Sequence, residues 1–227
     1  MKLLLFDIDG TLVHANGSGR TAIERALEDV FDRPISTGGV TFSGRTDPGI
    51  MRDILEANGV APMASNVDRA LQAYESVVLD QGNPSDVTLI PGAAPLLDQL
   101  ATRSDVTLGL LTGNIRTTAF WKLGAVDLDR HFAFGAFGCD HGERHQLPPV
   151  AVRRAKEHTG HTYVGSDVVI IGDTQHDIQC GRGIGAFSVG VCTGSYSRDE
   201  LAPHRPNVLF DTLQDAEAFI NQVLHTH

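Results

Sequence analysis

The chain has 227 residues, enough for one sizeable core, and its 41% hydrophobic and 20% charged content is ordinary for a globular protein. Twenty-eight acids against 18 bases leave a formal charge of −10, which repels a phosphate backbone and argues against nucleic acid as a partner. No apolar run approaches the roughly 18 residues needed to span a bilayer, and the three cysteines (Cys139, Cys180, Cys192) cannot all pair, so the expectation is a reduced, cytoplasmic protein with no membrane partner.

The first predicted element is a short apolar strand, Leu3–Phe6, which runs directly into Asp7-Ile8-Asp9-Gly10-Thr11. About 75 residues of helical periodicity follow. Arg20–Phe31 stripes Ile23, Ala26, Leu27 and Val30 together, Asp47–Asn58 stripes Ile50, Ile54 and Leu55 and stops at Gly59, and Val67–Leu79 carries Ala70, Leu71, Tyr74, Val77 and Val78. That stretch is too long for a crossover loop and reads as a helical insert over the strand ends. The remainder alternates. A helix over Pro91–Ala101 precedes a strand at Val106–Leu111, then a helix at Ile115–Leu123. A helix over Pro148–His158 precedes strands at Val168–Ile171 and Phe187–Val191, a weaker one at Val208–Phe210, and a last helix over Asp211–Leu224. Apolar strands without polar alternation, separated by helices, predict an α/β fold with a doubly wound, mostly parallel sheet.

In such sheets ligands bind beyond the carboxyl ends of the strands. Asp7 and Asp9 stand there, two residues apart, and mutual repulsion asks for a compensating cation. Val106–Leu111 ends in Thr112-Gly113-Asn114, a hydroxyl and exposed amides suited to an anion. Val168–Ile171 ends in Gly172-Asp173-Thr174-Gln175-His176-Asp177, whose two acids can share one face of a helix start. Together these groups suit a hard divalent cation bridged to a phosphate.

The ordered set resembles the haloacid dehalogenase superfamily. Asp7-Ile8-Asp9-Gly10-Thr11 is similar to its Asp-x-Asp-x-Thr motif, Thr112 to its strand-end hydroxyl, and Gly172-Asp173 through Asp177 to its Gly-Asp-x3-Asp motif. The resemblance implies a Rossmann-like core (1–14 and 88–227) and a small helical cap (15–87). It also implies a Mg²⁺-dependent phosphatase acting on a small phosphorylated metabolite, as a monomer or homodimer. Asp7 would be the nucleophile and form an aspartyl-phosphate, with Asp9 as general acid/base. The metal set would be Asp7, Asp9 (through its carbonyl), Asp173 and, through water or from further out, Asp177. Thr112 would grip the phosphoryl group, with Gly113 at the same loop. Thr11 and Asn114 would touch substrate or hold the loops in shape.

The family's third motif, usually a lysine, is altered. Only Lys2, Lys122 and Lys156 are present, and Arg144 is the better-placed cation, with Lys122 and a plain surface arginine as alternatives. Cys139, His141 and His145 offer a rival, weak zinc site. In the insert, Arg45 either reaches an anionic leaving group, or pairs with Asp47 or caps the next helix, and His14, Asn16 and Arg20 are candidates for the cleft wall. The competing activities are a phosphomutase resembling β-phosphoglucomutase, a phosphonate or haloacid enzyme, and a silent phosphate-binding module. The phosphonate or haloacid enzyme is disfavoured because residues 12–95 hold no lysine and Asp9 is present, and the silent module by the intact Asp7, Asp9 and Asp173.

Overall fold

The computed structural model describes residues 1–15 and 18–224. Its central strand, β1 (Lys2–Phe6), places Leu3 and Leu5 on one sheet face and Leu4 and Phe6 on the other, all fully buried. A strand covered on both faces has no polar positions to offer, which is why the sequence reads as an unbroken apolar run. Around it lie β4 (Val106–Leu111), β5 (Gly135–Ala136), β6 (Val168–Gly172), β7 (Phe187–Val191) and β8 (Val208–Phe210). All pair in parallel, in the order β5-β4-β1-β6-β7-β8.

Helices cover both faces. On one, α4 (Ala93–Ala101), α5 (Arg116–Gly124) and α9 (Ala216–Leu224) bury Leu96, Leu97, Leu100, Leu123, Phe219 and Val223 against Leu4, Phe6, Val169 and Ile171. On the other, α6 (Leu147–Thr159) and α7 (Gln175–Cys180) pack Leu147, Ala151, Ala155 and Cys180 against Leu3, Leu5 and Ile170. The chain leaves β1 toward β4 and β5, then returns to β6 on the other side of β1. That reversal opens a crevice at the carboxyl ends of β1, β4 and β6.

Two further strands, β2 (Val13–Ala15) and β3 (Val87–Leu89), pair antiparallel. Between them run α1 (Ser18–Phe31), α2 (Asp47–Ala57) and α3 (Ala64–Gln81), which build a separate apolar cluster from Ile23, Leu27, Ile50, Met51, Ile54, Leu55, Val67 and Tyr74. A four-residue helix, α8 (Arg198–Leu201), precedes β8. Among the described residues no helix is long and apolar enough to cross a membrane.

The differences from expectation are local. The strands β2, β3 and β5 are two or three residues long and carry no periodic signal. The last helix begins at Ala216 rather than Asp211. Helix α3 runs from Ala64 to Gln81, longer at both ends than its apolar stripe.

Candidate active site

Asp7 follows β1 directly and is 5% exposed. Its amide donates to the Ile171 carbonyl at 2.9 Å, locking the β1 and β6 ends together. The chain then turns at Gly10, whose φ of +77° and whose close approach to the Asp173 carboxylate both exclude a side chain. Across the crevice, Asp173 leaves β6 at 3% exposure, and Thr11 donates to it from 3.5 Å. The Asp177 carboxylate closes the trio; ligand atoms of Asp7, Asp173 and Asp177 lie within 4.8 Å of one another.

Asp177 is largely committed elsewhere. As the third residue of a capping box it accepts from the Thr174 amide (3.0 Å) and hydroxyl (2.7 Å) through Oδ2, and from Arg144 Nη2 through Oδ1. The same Nη2 sits 3.1 Å from Asp7 Oδ1, and Arg144 is itself buried. The surface-arginine alternative is therefore corrected. Arg144 stands between two carboxylates, and its Nε is a buried donor with no partner among the described residues.

The electrostatics split the acids. Burial pushes Asp7 up to about 6 against the pull of Arg144, with Asp177 and Asp9 adding to the rise. Burial, then the charges of Asp177 and Asp7, raise Asp173 well above its ordinary value. Asp9 goes the other way: burial opposes ionisation, but Lys122 and Asn114 outweigh it and hold Asp9 below its ordinary value.

Lys122 is the main correction to the sequence reading. Offered as the alternative to Arg144 in the third motif, it turns instead to Asp9: its side chain is 12% exposed and its ammonium donates to both Asp9 oxygens at 2.8 Å and to Asn114 Oδ1 at 2.6 Å. It lies one turn beyond the buried Thr118, so spacing along α5 was the available signal. The Asp9 side chain accordingly faces α5 and stands apart from the trio of acids that can surround a metal. Asn114 Nδ2 donates to Asp9 Oδ2 (2.6 Å) and Thr112 Oγ1 (2.8 Å), so its amide is used within the protein at both ends. The fully buried Thr112 hydroxyl accepts from Asn114 and keeps its own proton to donate.

The helical segment reaches this loop at Gly113. The Asp47 amide donates to the Gly113 carbonyl at 2.7 Å, and a Cβ on Gly113 would overlap the Arg45 carbonyl oxygen. Gly113 is thus covered by Arg45 and Thr46. Thr46 caps α2 and donates to the Gly142 carbonyl at 2.5 Å, while the buried Asp47 accepts from the Ile115 amide at 2.8 Å. Arg45 pairs with Asp53 (2.9 Å), not with Asp47. It lines a cavity of about 640 Å³ with Arg52, Arg144, His145, His176 and Arg182.

The fold also places the remaining candidates. Arg20 donates to the Thr37 and Val40 carbonyls, within the helical segment, His14 is exposed on β2, and Asn16 lies outside the described residues. Cys139 is exposed and His141 Nδ1 accepts from the Glu143 amide, so the zinc alternative finds no converging ligands among the described residues. The sequence reading missed Thr193, which donates to the Gly10 carbonyl at 2.7 Å, and Gly194, whose backbone packs on Asp173. Nothing in the composition after β7 marks them.

Three parallel strand ends carrying Asp7, Thr112 and Asp173, with a lone buried arginine between the acids, define a class. The model of the haloacid dehalogenase-like hydrolases matches residues 1–185, and the chain belongs to that family. Among individual relatives it is 25% identical over 224 residues to a phosphoglycolate phosphatase of Pectobacterium atrosepticum, covering 93% of this chain and 89% of that one. It is 24% identical over 236 residues to the pyrophosphatase PpaX of Bacillus pumilus, covering 97% and 96%. A crystal structure of a predicted phosphoglycolate phosphatase from Haemophilus somnus superposes with a TM-score of 0.71 at 21% identity, over 96% of this chain and 97% of that one, a likeness of fold.

Proposed function

We propose that the protein is a Mg²⁺-dependent phosphatase for a small, anionic phosphorylated metabolite, with Asp7 as nucleophile. The observation that carries this reading is Arg144. It is a buried arginine that holds the Asp7 carboxylate and keeps a buried, unpartnered Nε donor beside it. Phosphoryl transfer needs little covalent help; it needs positioning and neutralisation of charge. Arg144 fixes one oxygen of Asp7, leaving the other to attack phosphorus, and its free donor suits an equatorial phosphoryl oxygen. The Thr112 hydroxyl supplies another donor. The bond from phosphorus to the leaving oxygen breaks as the bond to Asp7 forms, giving an aspartyl-phosphate. Asp9 hands a proton to the leaving oxygen and takes one back from the water that attacks phosphorus in the second step.

The residues fit a metal. Asp7 and Asp173 are buried hard oxygen donors, and burial raises both even with Arg144 alongside. Asp7 and Asp173 would hold Mg²⁺, with Asp177 behind them and the Asp9 carbonyl completing the set. The ion, when bound, neutralises the phosphoryl charge. In this reading residues 15–87 act as a cap, and the arginine-rich cavity takes the part of the substrate that does not react. Phosphoglycolate and pyrophosphate, named for two relatives, each carry a second anion of the kind Arg45 and Arg52 suit.

The test is a turnover screen against phosphorylated metabolites that include these two, monitored by phosphate release. Activity is expected with Mg²⁺, lost with chelator, restored by Mg²⁺ and inhibited by Ca²⁺, whose looser coordination spoils the in-line geometry. Turnover that survives chelation would reject the reading.

A further inference from the structure

We propose that Lys122 is a positioning residue for Asp9, fixing its carboxyl group for the proton transfer to the leaving oxygen; this rests on the phosphatase reading above. The geometry is closed on three sides. Lys122 Nζ reaches both Asp9 oxygens at 2.8 Å, Asn114 joins Lys122 at 2.6 Å, and Asn114 Nδ2 returns to Asp9 at 2.6 Å. Lys122 makes its ion pair with Asp9 and with none of the trio Asp7, Asp173 and Asp177. The second arm of Asn114, to Thr112, ties this clamp to the strand end beside the nucleophile.

The clamp continues into the helical segment. Besides Asp9, the acid acting on Lys122 is Asp47 on α2, which is buried. Asp47 also accepts from the Ile115 amide, just before α5, so the seated helical segment fixes the start of the helix that carries Lys122.

When the proton leaves Asp9, the electron pair of the breaking P–O bond stays with the ester oxygen, which takes that proton. Asp9 becomes a carboxylate facing Lys122, and the phosphoryl group resides on Asp7. A poor leaving group depends on this transfer more than a good one does. The experiment compares kcat for phenyl phosphate and p-nitrophenyl phosphate in the parent and in Lys122→Met, with Mg²⁺ present. The variant is expected to lose at least tenfold more on phenyl phosphate than on p-nitrophenyl phosphate, and Lys122→Arg to recover part of that excess. Equal losses on the two esters, or no loss, would overturn the proposal, because a residue that only supports the fold does not sense the leaving group. Should Lys122→Met fail to fold, Asn114→Ser, which removes one Asp9 donor and leaves the ion pair, is expected to show the same bias in smaller measure; an unbiased loss there overturns the proposal as well. A parent inactive on both esters overturns the phosphatase reading and this proposal with it, whereas an active parent with an unbiased variant overturns this proposal alone.

Discussion

Asp7 and Asp9 stand two residues apart, yet the protein gives them opposite surroundings. Asp7 is 7% exposed at its side chain and is held by Arg144, which is itself held by the capping box of α7; all of these belong to the sheet and its covering helices. The Asp9 side chain is 41% exposed and is held by Lys122, whose charge also acts on Asp47 of the helical segment. Burial raises one carboxylate to about 6, whereas Lys122 and Asn114 outweigh burial at the other and lower it. Two acids two residues apart are divided in their ionisation by which element supplies the neighbouring charge.

The sharpest way to break this contrast is to remove the cation on the Asp7 side. Arg144→Ala should lower kcat by on the order of 10²-fold or more, with KM less affected, because its charge serves the transition state more than free substrate. Arg144→Lys should recover part of this, since a point charge replaces the charge but not the fork. Steady-state kinetics on the two variants check it. A near-normal Arg144→Ala would erase the distinction between the two cations.

A smaller effect sharpens the link to the helical segment. Burial pushes Asp47 up to about 6, against the pull of Lys122 and the Ile115 amide, while its ordinary value is 3.8. The folded state therefore holds the Asp47 proton over a range where the unfolded chain has released it. The stability contributed by this group is complete below about pH 4 and is lost as pH rises through about 6. Asp47→Asn removes that dependence and keeps an acceptor for Ile115. Urea unfolding of both proteins should show the variant gaining on the parent between about pH 4 and 6 and levelling above, by at most about 3 kcal/mol. A difference that does not change with pH would contradict it.

Much of this arrangement is legible in the residues. Strands buried on both faces must be continuously apolar, so β1, β4, β6 and β7 announce themselves, and the acids just beyond them follow from topology. Arg144 is legible because the chain has almost no lysine to take its place. Lys122 is not, because a basic residue within a helix normally reads as solvated, and only the three-dimensional packing of α5 turns it toward Asp9. Asp47 is hidden for a similar reason. At the start of α2 it reads as an ordinary acid at a helix N-terminus, but its oxygen serves the amide of Ile115, 68 residues away. Short pairings such as β2 with β3 are set by tertiary contact and leave no periodic trace.

The central claim is that Asp7 carries the phosphoryl group, and trapping tests it most directly. Protein quenched in acid during turnover, reduced with borohydride and mapped by peptide mass spectrometry should show residue 7 converted from aspartate to homoserine, the product of reducing an acyl phosphate. Asp7→Asn should be folded, inactive and unmodified. Modification of another carboxylate, or full turnover with no trapped group on Asp7, would contradict the account.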